Sequence, residues 1–400
     1  MTFEEKLKLL ESGVEEIIPR ADLVAKLKSA DKTGKPLRVK YGIDPTGHEV
    51  HIGHLVPIRK MRQFQDMGHT GVIIIGDFTA QIGDPTGRDE SRPPLTAELV
   101  KQNAANYMEQ LYRVLDPERT EVHWQIEWFG GMTMSDVLKL LGKFTLAQFL
   151  AHDTFRKRYE NGLPLGMHEL MYPILMAYDS VAVEADIELG ATEQKFNILC
   201  GRDMQRYFDM PEQVAILSPI LIGTDGKQKM SKSLNNYIAV LDTPADKYGK
   251  AMSIPDASIV NFFQYATTLP PSEIDMVKRE LKGGEVNPKH IKMRLAREIV
   301  ALYDGAEAAK EAEAAFEKVF ARGDVPDDMP VLEVEGPVWV VKALTEGGLC
   351  KSNGEARRMM KQDAVKLDDV KLTDADAELD ITGEAVLKVG KRRFLRLVRK

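Results

Sequence analysis

The sequence predicts an α/β fold built on a parallel sheet, and three observations carry that expectation. Leu37, Val39, Tyr41 and Ile43 alternate with polar or small residues, as in a half-buried strand, and the strand ends in the turn residues Asp44-Pro45-Thr46-Gly47. His51 to Met67 follows with Leu55, Ile58, Met61, Arg62 and Gln65 at helical spacing. Val72 to Ile75 is then an unbroken apolar run, the pattern of a strand buried on both faces, leading to a second Asp-Pro-Thr-Gly at Asp84 to Gly87. Strand, helix and strand with loops at the carboxyl ends make a parallel α/β unit, and ligands bind at such ends.

The other elements follow in chain order. Residues 3–30 read as amphipathic helices, and residues 96–115 and 133–160 as helical. Glu121 to Trp124 reads as a short strand. Gly166 to Glu184 reads as a helix that tolerates Pro173 only near its start. Val214 to Leu221 is a further apolar strand, ending in a loop from Gly223 to Ser233 that holds Lys227, Lys229 and Lys232. Residues 243–320 read as helical. Arg322 to Pro337 is acidic, holds three prolines and has no helical period, so it reads as a linker. Residues 339–400 are left as a small separate module.

At 400 residues the chain is long for one domain, and 44% apolar residues exclude disorder. No apolar run approaches the roughly 18 residues of a membrane span, and the acidic, amphipathic start lacks the layout of a secretory leader. Cys200 and Cys350 stand far apart, which indicates neither a disulfide framework nor a zinc site and fits a reducing cytoplasm. Net charge is −7, but Trp339 to Lys400 holds 14 Lys and Arg against 10 Asp and Glu, a net of +4 on an acidic body. Six of the last ten side chains are basic. That asymmetry points to a polyanion contact or to a solvated C-terminal strand.

Two motifs carry chemistry. His51-Ile52-Gly53-His54 stands at a helix start, where backbone N–H groups and the helix dipole favour phosphate. Imidazole N–H groups aimed there stabilise charge that develops during phosphoryl chemistry, and Gly53 lets a flat base or ribose approach the backbone. His48, His51 and His54 recur every three residues, but position 52 is Ile, so the metalloprotease pattern His-Glu-x-x-His is missing. In the second motif, Lys229-Met230-Ser231-Lys232-Ser233, a polar loop dense in positive charge can close on a pyrophosphate leaving group. No P-loop or dinucleotide glycine pattern is present. A third set, Tyr172, Met176 and Asp179, falls on one helical face, where a ligand with a hydroxyl and an ammonium would satisfy the two polar groups; a half-exposed amphipathic helix shows the same spacing.

Together these motifs resemble the class I aminoacyl-tRNA synthetases, most closely the bacterial tyrosyl-tRNA synthetases, over nearly the whole chain. The histidine motif matches that family's His-x-Gly-His signature, and Lys229 to Ser233 matches its lysine loop without change. Ile73 to Thr79, Ile82 to Gly87 and Tyr178-Asp179-Ser180-Val181-Ala182 are similar to family segments, and Leu344 to Leu372 resembles an S4-type RNA-binding module. The resemblance implies a Rossmann-like parallel-sheet catalytic domain at 1–222 with a helical, dimer-forming insertion at about 110–200. It implies an α-helical anticodon-side domain with the lysine loop at 223–321, a linker at 322–338, and a small α+β S4-like domain at 339–400. It also implies a cytoplasmic homodimer that joins tyrosine to tRNA through a tyrosyl-adenylate, with ATP and Mg²⁺ as the substrate complex and no tightly bound cofactor.

By that resemblance His51, His54, Lys229 and Lys232 are catalytic, and Asp44, Thr46, Gly53, Glu193 and Ser231 bind ATP. Tyr41, Asp84, Tyr172, Met176, Asp179 and Gln194 bind the amino acid: Asp84 and Tyr172 hold the ammonium, Asp179 reads the phenol and Gln194 faces the carboxylate. Arg357, Arg358, Lys361, Lys391, Arg392 and Arg393 bind RNA. In this family, tyrosine-versus-phenylalanine selection is the standard worked case of polar groups left unpaired by the wrong substrate. The chain departs from the family at three pocket positions. Met176 stands where Gln is usual, and Gly190-Ala191-Thr192-Glu193-Gln194 stands where Gly-Gly-Thr-Asp-Gln is usual. These departures leave open a rearranged tyrosine pocket or a paralogue that activates a tyrosine analogue or another amino acid. A non-catalytic RNA-binding homologue would have lost His51, His54, Lys229 or Lys232, and all four are present.

Overall fold

The computed structural model describes residues 1–47, 49–85, 96–284, 286–321, 329–368, 370–381, 383–390 and 393–399. The chain divides into two units, Met1–Ala309 and Lys310–Lys400.

The first unit holds a six-stranded sheet: β1 (Glu16–Ile18), β2 (Arg38–Ile43), β3 (Thr70–Ile75), β4 (Thr120–Trp124), β5 (Ile187–Ala191) and β6 (Val214–Ser218). Their spatial order is β1-β6-β5-β2-β3-β4; every neighbouring pair is parallel except β1 with β6. The chain steps from β2 out to β4 on one side, then returns to lay β5 on the other side of β2. The order therefore reverses between β2 and β5, where a crevice forms at the carboxyl ends of the strands. The ladder between these two strands ends early. It pairs Val39 with Ile187 and Lys40 with Glu188, whereas β2 pairs with β3 as far as Ile43 and β5 with β6 as far as Ala191. Beyond Lys40 and Glu188 the strands part, and the gap is the crevice.

The expected strands at 37–43, 72–75, 121–124 and 214–221 are present with small shifts of their ends. β1 and β5 were not expected. In β5, Ile187-Glu188-Leu189-Gly190-Ala191, a buried glutamate and two small residues mask the strand pattern. The helix expected from His51 begins later, at Leu55, so both histidines precede it. Residues 133–160, read as helical, hold three helices: Met134–Leu141, Leu146–Leu150 and Asp153–Glu160. Thr133 and Thr145 accept the N3 amide of the next helix, and Asp136 and Gln148 reach back to them, so each restarts a helix. Pro173 lies in the second turn of the Met167–Ala182 helix, deeper than expected. Residues 244–321 are helical in five α segments, as the pattern suggested.

In the second unit a five-stranded sheet and a two-stranded one accompany the helices Val340–Glu346 and Asn353–Lys361. The core joins Val340, Val341, Leu344, Ala356, Met360, Leu387, Leu395 and Leu397. One stretch read as linker is ordered structure: Val331–Val334 is an edge strand, parallel to Arg393–Arg399. Its prolines lie outside the strand, which removes the objection they raised. Residues 322–328 lie outside the described residues.

Candidate active site

Two adjoining cavities occupy the crevice, about 270 Å³ at the strand ends and about 430 Å³ towards the lysine loop. Tyr41, Thr46, His54, Tyr107, Ala191 and Glu193 line both.

At the outer cavity, His51 and His54 stack in a tight turn with ring centroids 3.6 Å apart. The Leu55–Asp66 helix starts directly after them, with His54 as its N-cap residue. A Cβ on Gly53 would stand 3.0 Å from Nδ1 of His51, so the space this glycine leaves is taken first by the His51 ring. Burial, and then the nearby Lys232 ammonium, push the His51 pKa down to about 4. His54 is pushed well below its usual value by burial, then by His51 and Lys232. Both rings are therefore neutral at physiological pH and act as hydrogen-bonding groups, not as cations.

The two motifs are tied through the backbone. Ile52 N–H donates to Ile238 O at 3.0 Å, and Val240 N–H donates to Val50 O at 2.9 Å. Asn236 braces the lysine loop by accepting Ser231 N–H at 2.8 Å and donating to Lys229 O at 3.1 Å. Lys232 Nζ donates to Glu49 O at 2.9 Å, and Lys229 Nζ pairs with Glu193 Oε1 at 3.2 Å.

The inner cavity has a different chemistry. Tyr172 Oη donates to Asp44 Oδ2 at 2.8 Å, Thr79 Oγ1 donates to Asp44 Oδ1 at 2.7 Å, and Gln194 Nε2 donates to Asp84 Oδ2 at 2.7 Å. Asp179, at the floor, accepts Gln125 Nε2 at 2.8 Å and Trp128 Nε1 at 3.1 Å. Tyr172 and Asp179 thus already have protein partners, beside any that a ligand would add. Burial pushes the Asp179 pKa up to about 7; Lys40 and the Gln125 hydrogen bond oppose it, Glu188 adds to it, and the Trp128 bond opposes it.

Under that floor, Lys40 Nζ pairs with Glu188 Oε1 at 2.8 Å and donates to Ser180 Oγ at 2.8 Å and Met176 O at 3.0 Å; Lys40, Glu188 and Ser180 are fully buried. Met176 itself packs its side chain against Ile198, Ala215 and Leu217 while lining the cavity.

The sequence-chosen residues fall together. Tyr41, Asp44, Thr46, His54, Asp84, Tyr172, Met176, Asp179, Glu193 and Gln194 line the inner cavity, and His51, Gly53, Lys229, Ser231 and Lys232 the outer. Five residues escaped the sequence reading as site residues: Thr79, Gln125, Trp128, Lys40 and Glu188. Thr79 ends the family-like segment Ile73 to Thr79; no local motif marks the other four, and the one available signal is a lysine in β2 and a glutamate in β5, each flanked by apolar strand residues. In the second unit, Arg357, Arg358 and Lys361 are exposed on the Asn353–Lys361 helix, with Arg357 paired to Asp376 at 3.1 Å. Arg393 is tied inward to Glu355 at 3.0 Å, and Lys391 and Arg392 lie outside the described residues. His48 is outside them too; among the described residues no group of three His, Cys, Asp or Glu is placed to hold a metal ion.

Comparison with known proteins agrees with this geometry. A family profile described as tRNA synthetases class I (W and Y) matches residues 32–321, and the tyrosine–tRNA ligase SYY-like C-terminal domain matches residues 322–397. A tyrosine–tRNA ligase of Moorella thermoacetica is 47% identical over 98% of this chain and 95% of its own length. The chain belongs to the tyrosine–tRNA ligase family of class I synthetases. Another family member, from Thermotoga maritima, is 45% identical over 99% of this chain and 98% of its own length. The fold is also shared with the tyrosyl-tRNA synthetase of Archaeoglobus fulgidus complexed with L-tyrosine, at a TM-score of 0.63 and 22% identity, over 78% of this chain and all of that one.

Proposed function

We propose that this chain is an ATP-dependent tyrosine–tRNA ligase, which forms tyrosyl-adenylate in the crevice and passes tyrosine to tRNA. One observation carries the reading. A cavity lined by a buried carboxylate, Asp179, adjoins one lined by His51, His54, Lys229 and Lys232, and the two share lining residues. A phenol suits the floor and a triphosphate suits the mouth. The tyrosine carboxylate then lies near the α-phosphate, as attack on that phosphorus requires.

In this mechanism Tyr172 and Asp84 hold the ammonium, with Gln194 near the carboxylate and Asp44 facing ATP. Neutral His51 and His54 donate hydrogen bonds to charge that builds on the phosphoryl oxygens, and Lys229 and Lys232 neutralise the departing pyrophosphate. Thr46, Gly53, Glu193 and Ser231 contact the rest of ATP. Mg²⁺ arrives on the ATP phosphates as part of the substrate.

Residues 1–222 serve as the catalytic domain, 223–321 as the anticodon-side domain, and the module from 339 as the RNA-binding part, using Arg357, Arg358 and Lys361. The insertion supports a homodimer, because Met134, Leu138, Leu146, Tyr159 and Met167 leave large apolar side chains exposed. Among the described residues no helix is long and apolar enough to cross a membrane, and a cytoplasmic location suits the reaction.

The test is amino-acid-dependent exchange of pyrophosphate into ATP, run over the twenty amino acids and several tyrosine analogues, then charging of tRNA. A strong tyrosine signal is expected. Activity confined to another compound overturns the tyrosine assignment and points to Met176, Ala191 and Glu193.

A further inference from the structure

We propose that Lys40, clamped beneath the pocket by Glu188, Ser180 and the Met176 carbonyl, is a positioning residue that sets how well Asp179 accepts the substrate hydroxyl and thereby how strongly tyrosine is preferred over phenylalanine. The inference rests on the tyrosine reading above and adds a residue that never touches substrate.

Lys40 is the last β2 residue paired with β5, so its ammonium sits where the ladder stops and the pocket begins. Its three partners fix it there: Glu188 Oε1 at 2.8 Å, Ser180 Oγ at 2.8 Å and Met176 O at 3.0 Å. Ser180 follows Asp179 directly, and Met176 O lies one helical turn before Ser180. The clamp therefore grips the same turn of helix that presents Asp179. Ser180 Oγ also donates to Glu188 Oε2 at 3.2 Å, and Gln213 donates to the same oxygen, so the glutamate is itself held in place.

Such a cluster is costly to bury, and replacing it by apolar residues is often neutral for stability. Its position gives it a use. Asp179 is buried between two neutral donors, Gln125 and Trp128, which bond it without supplying a full charge. The charged and titratable groups around it are Lys40 and Tyr41 on β2, Glu188 on β5, Cys200 beyond Glu188, and His123 across the Trp128 ring. Of these, Lys40 is the cation that lowers the Asp179 pKa, and Glu188 opposes it more weakly. A phenol O–H donates best to the ionised carboxylate, whereas phenylalanine makes no such bond. Selectivity should therefore rise with pH as Asp179 ionises, with an inflection that the Lys40–Glu188 pair sets.

The experiment measures kcat/KM for tyrosine and for phenylalanine by pyrophosphate exchange between pH 6 and 9, in the full-length protein. Lys40→Gln keeps a donor for Ser180 and Met176 but removes the charge. The expected result is an inflection at higher pH, with selectivity at pH 7 down about fivefold, the loss of ionised fraction that a one-unit pKa rise brings. Glu188→Gln should move the inflection to lower pH, a sign opposite to the first that damage to packing would not give. If both variants fold and the inflection stays where it is, the inference fails while the tyrosine reading stands. If one variant does not fold, the other decides by the same criterion. If Asp179→Asn leaves the tyrosine-to-phenylalanine ratio unchanged, Asp179 does not read the hydroxyl, and the reading beneath the inference fails.

Discussion

At the mouth of the crevice the polar groups come from two short stretches of chain, His51–His54 and Lys229–Lys232; the histidines are neutral, and the lysine side chains are exposed. At the floor, Asp179, Lys40 and Glu188 come from three separate elements, Gln125 and Trp128 come from the cap and body of a fourth, and they bond to one another or to the backbone around them. By the proposed mechanism the mouth meets a highly charged triphosphate, part of which leaves as pyrophosphate, so it needs cations that water can reach. The floor must tell a hydroxyl from a hydrogen, so it needs a fixed carboxylate shielded from water. Substitution at the mouth should therefore act on turnover, and substitution at the floor on the choice of amino acid.

The largest effect should come at the mouth. By the proposed mechanism Lys232→Ala or His51→Ala removes a group that stabilises the developing charge, and kcat for pyrophosphate exchange should fall about 100-fold or more. Tyrosine binding, measured by equilibrium dialysis without ATP, should stay within a few-fold. A large loss of tyrosine affinity would break the division between the two ends.

Next comes the floor. Asp179→Asn should cost about 1.5–3 kcal/mol in tyrosine recognition, or one to two decades in kcat/KM, and leave KM for ATP alone. The same variant has a signature in stability. The Asp179 pKa is raised from the usual carboxylate value to about 7 in the folded protein. Between those values the folded state binds more protons than the unfolded one. The contribution is thus fully present at acidic pH and is lost as pH rises through about 7. Thermal melts of the parent protein should lose stability from this group between pH 5 and 8, and Asp179→Asn should lose less over that range.

The same division explains what the sequence disclosed. His51, Gly53, His54, Lys229 and Lys232 were legible because each set is contiguous and the two sets together suggest phosphate chemistry. Tyr172, Met176 and Asp179 were legible as one helical face. The floor was not, because Lys40 and Glu188 meet through strand pairing, which no local pattern encodes, and a charged residue inside a strand counts against burial. β5 was lost for the same reason. Likewise Gln125 and Trp128 follow β4 with nothing local to mark them, and the parallel order β2-β3-β4 alone brings them beneath the pocket.

Met176→Gln should have a smaller effect and sharpens the floor's side of the comparison. The Met176 side chain packs against Ile198, Ala215 and Leu217. An amide placed there loses water without a sure partner, at a cost of about 1–3 kcal/mol on the protein scale. The expected outcome is a lower melting temperature with no gain in tyrosine activation. A sharp gain would mean that the cavity has drifted from tyrosine and that the usual amide restores it.

Glu193→Asp should have the smallest effect, and it tests whether the mouth tolerates change as its exposure suggests. The Glu193–Lys229 pair, 3.2 Å long, leaves the glutamate side chain 39% and the lysine side chain 55% exposed. Exposed pairs are worth about 0–1 kcal/mol, less as salt rises. Shortening the arm by one methylene should loosen the pair and free Lys229 for the nucleotide, so KM for ATP should fall, by no more than about fivefold. Raising salt from low to high ionic strength should shrink the difference between parent and variant, because only an exposed ion pair separates them. A change of a hundredfold, or one indifferent to salt, would mean that Glu193 contacts the nucleotide through geometry that aspartate cannot reproduce. The extra methylene would then be a fitted part of the site, and the mouth would be as exacting as the floor.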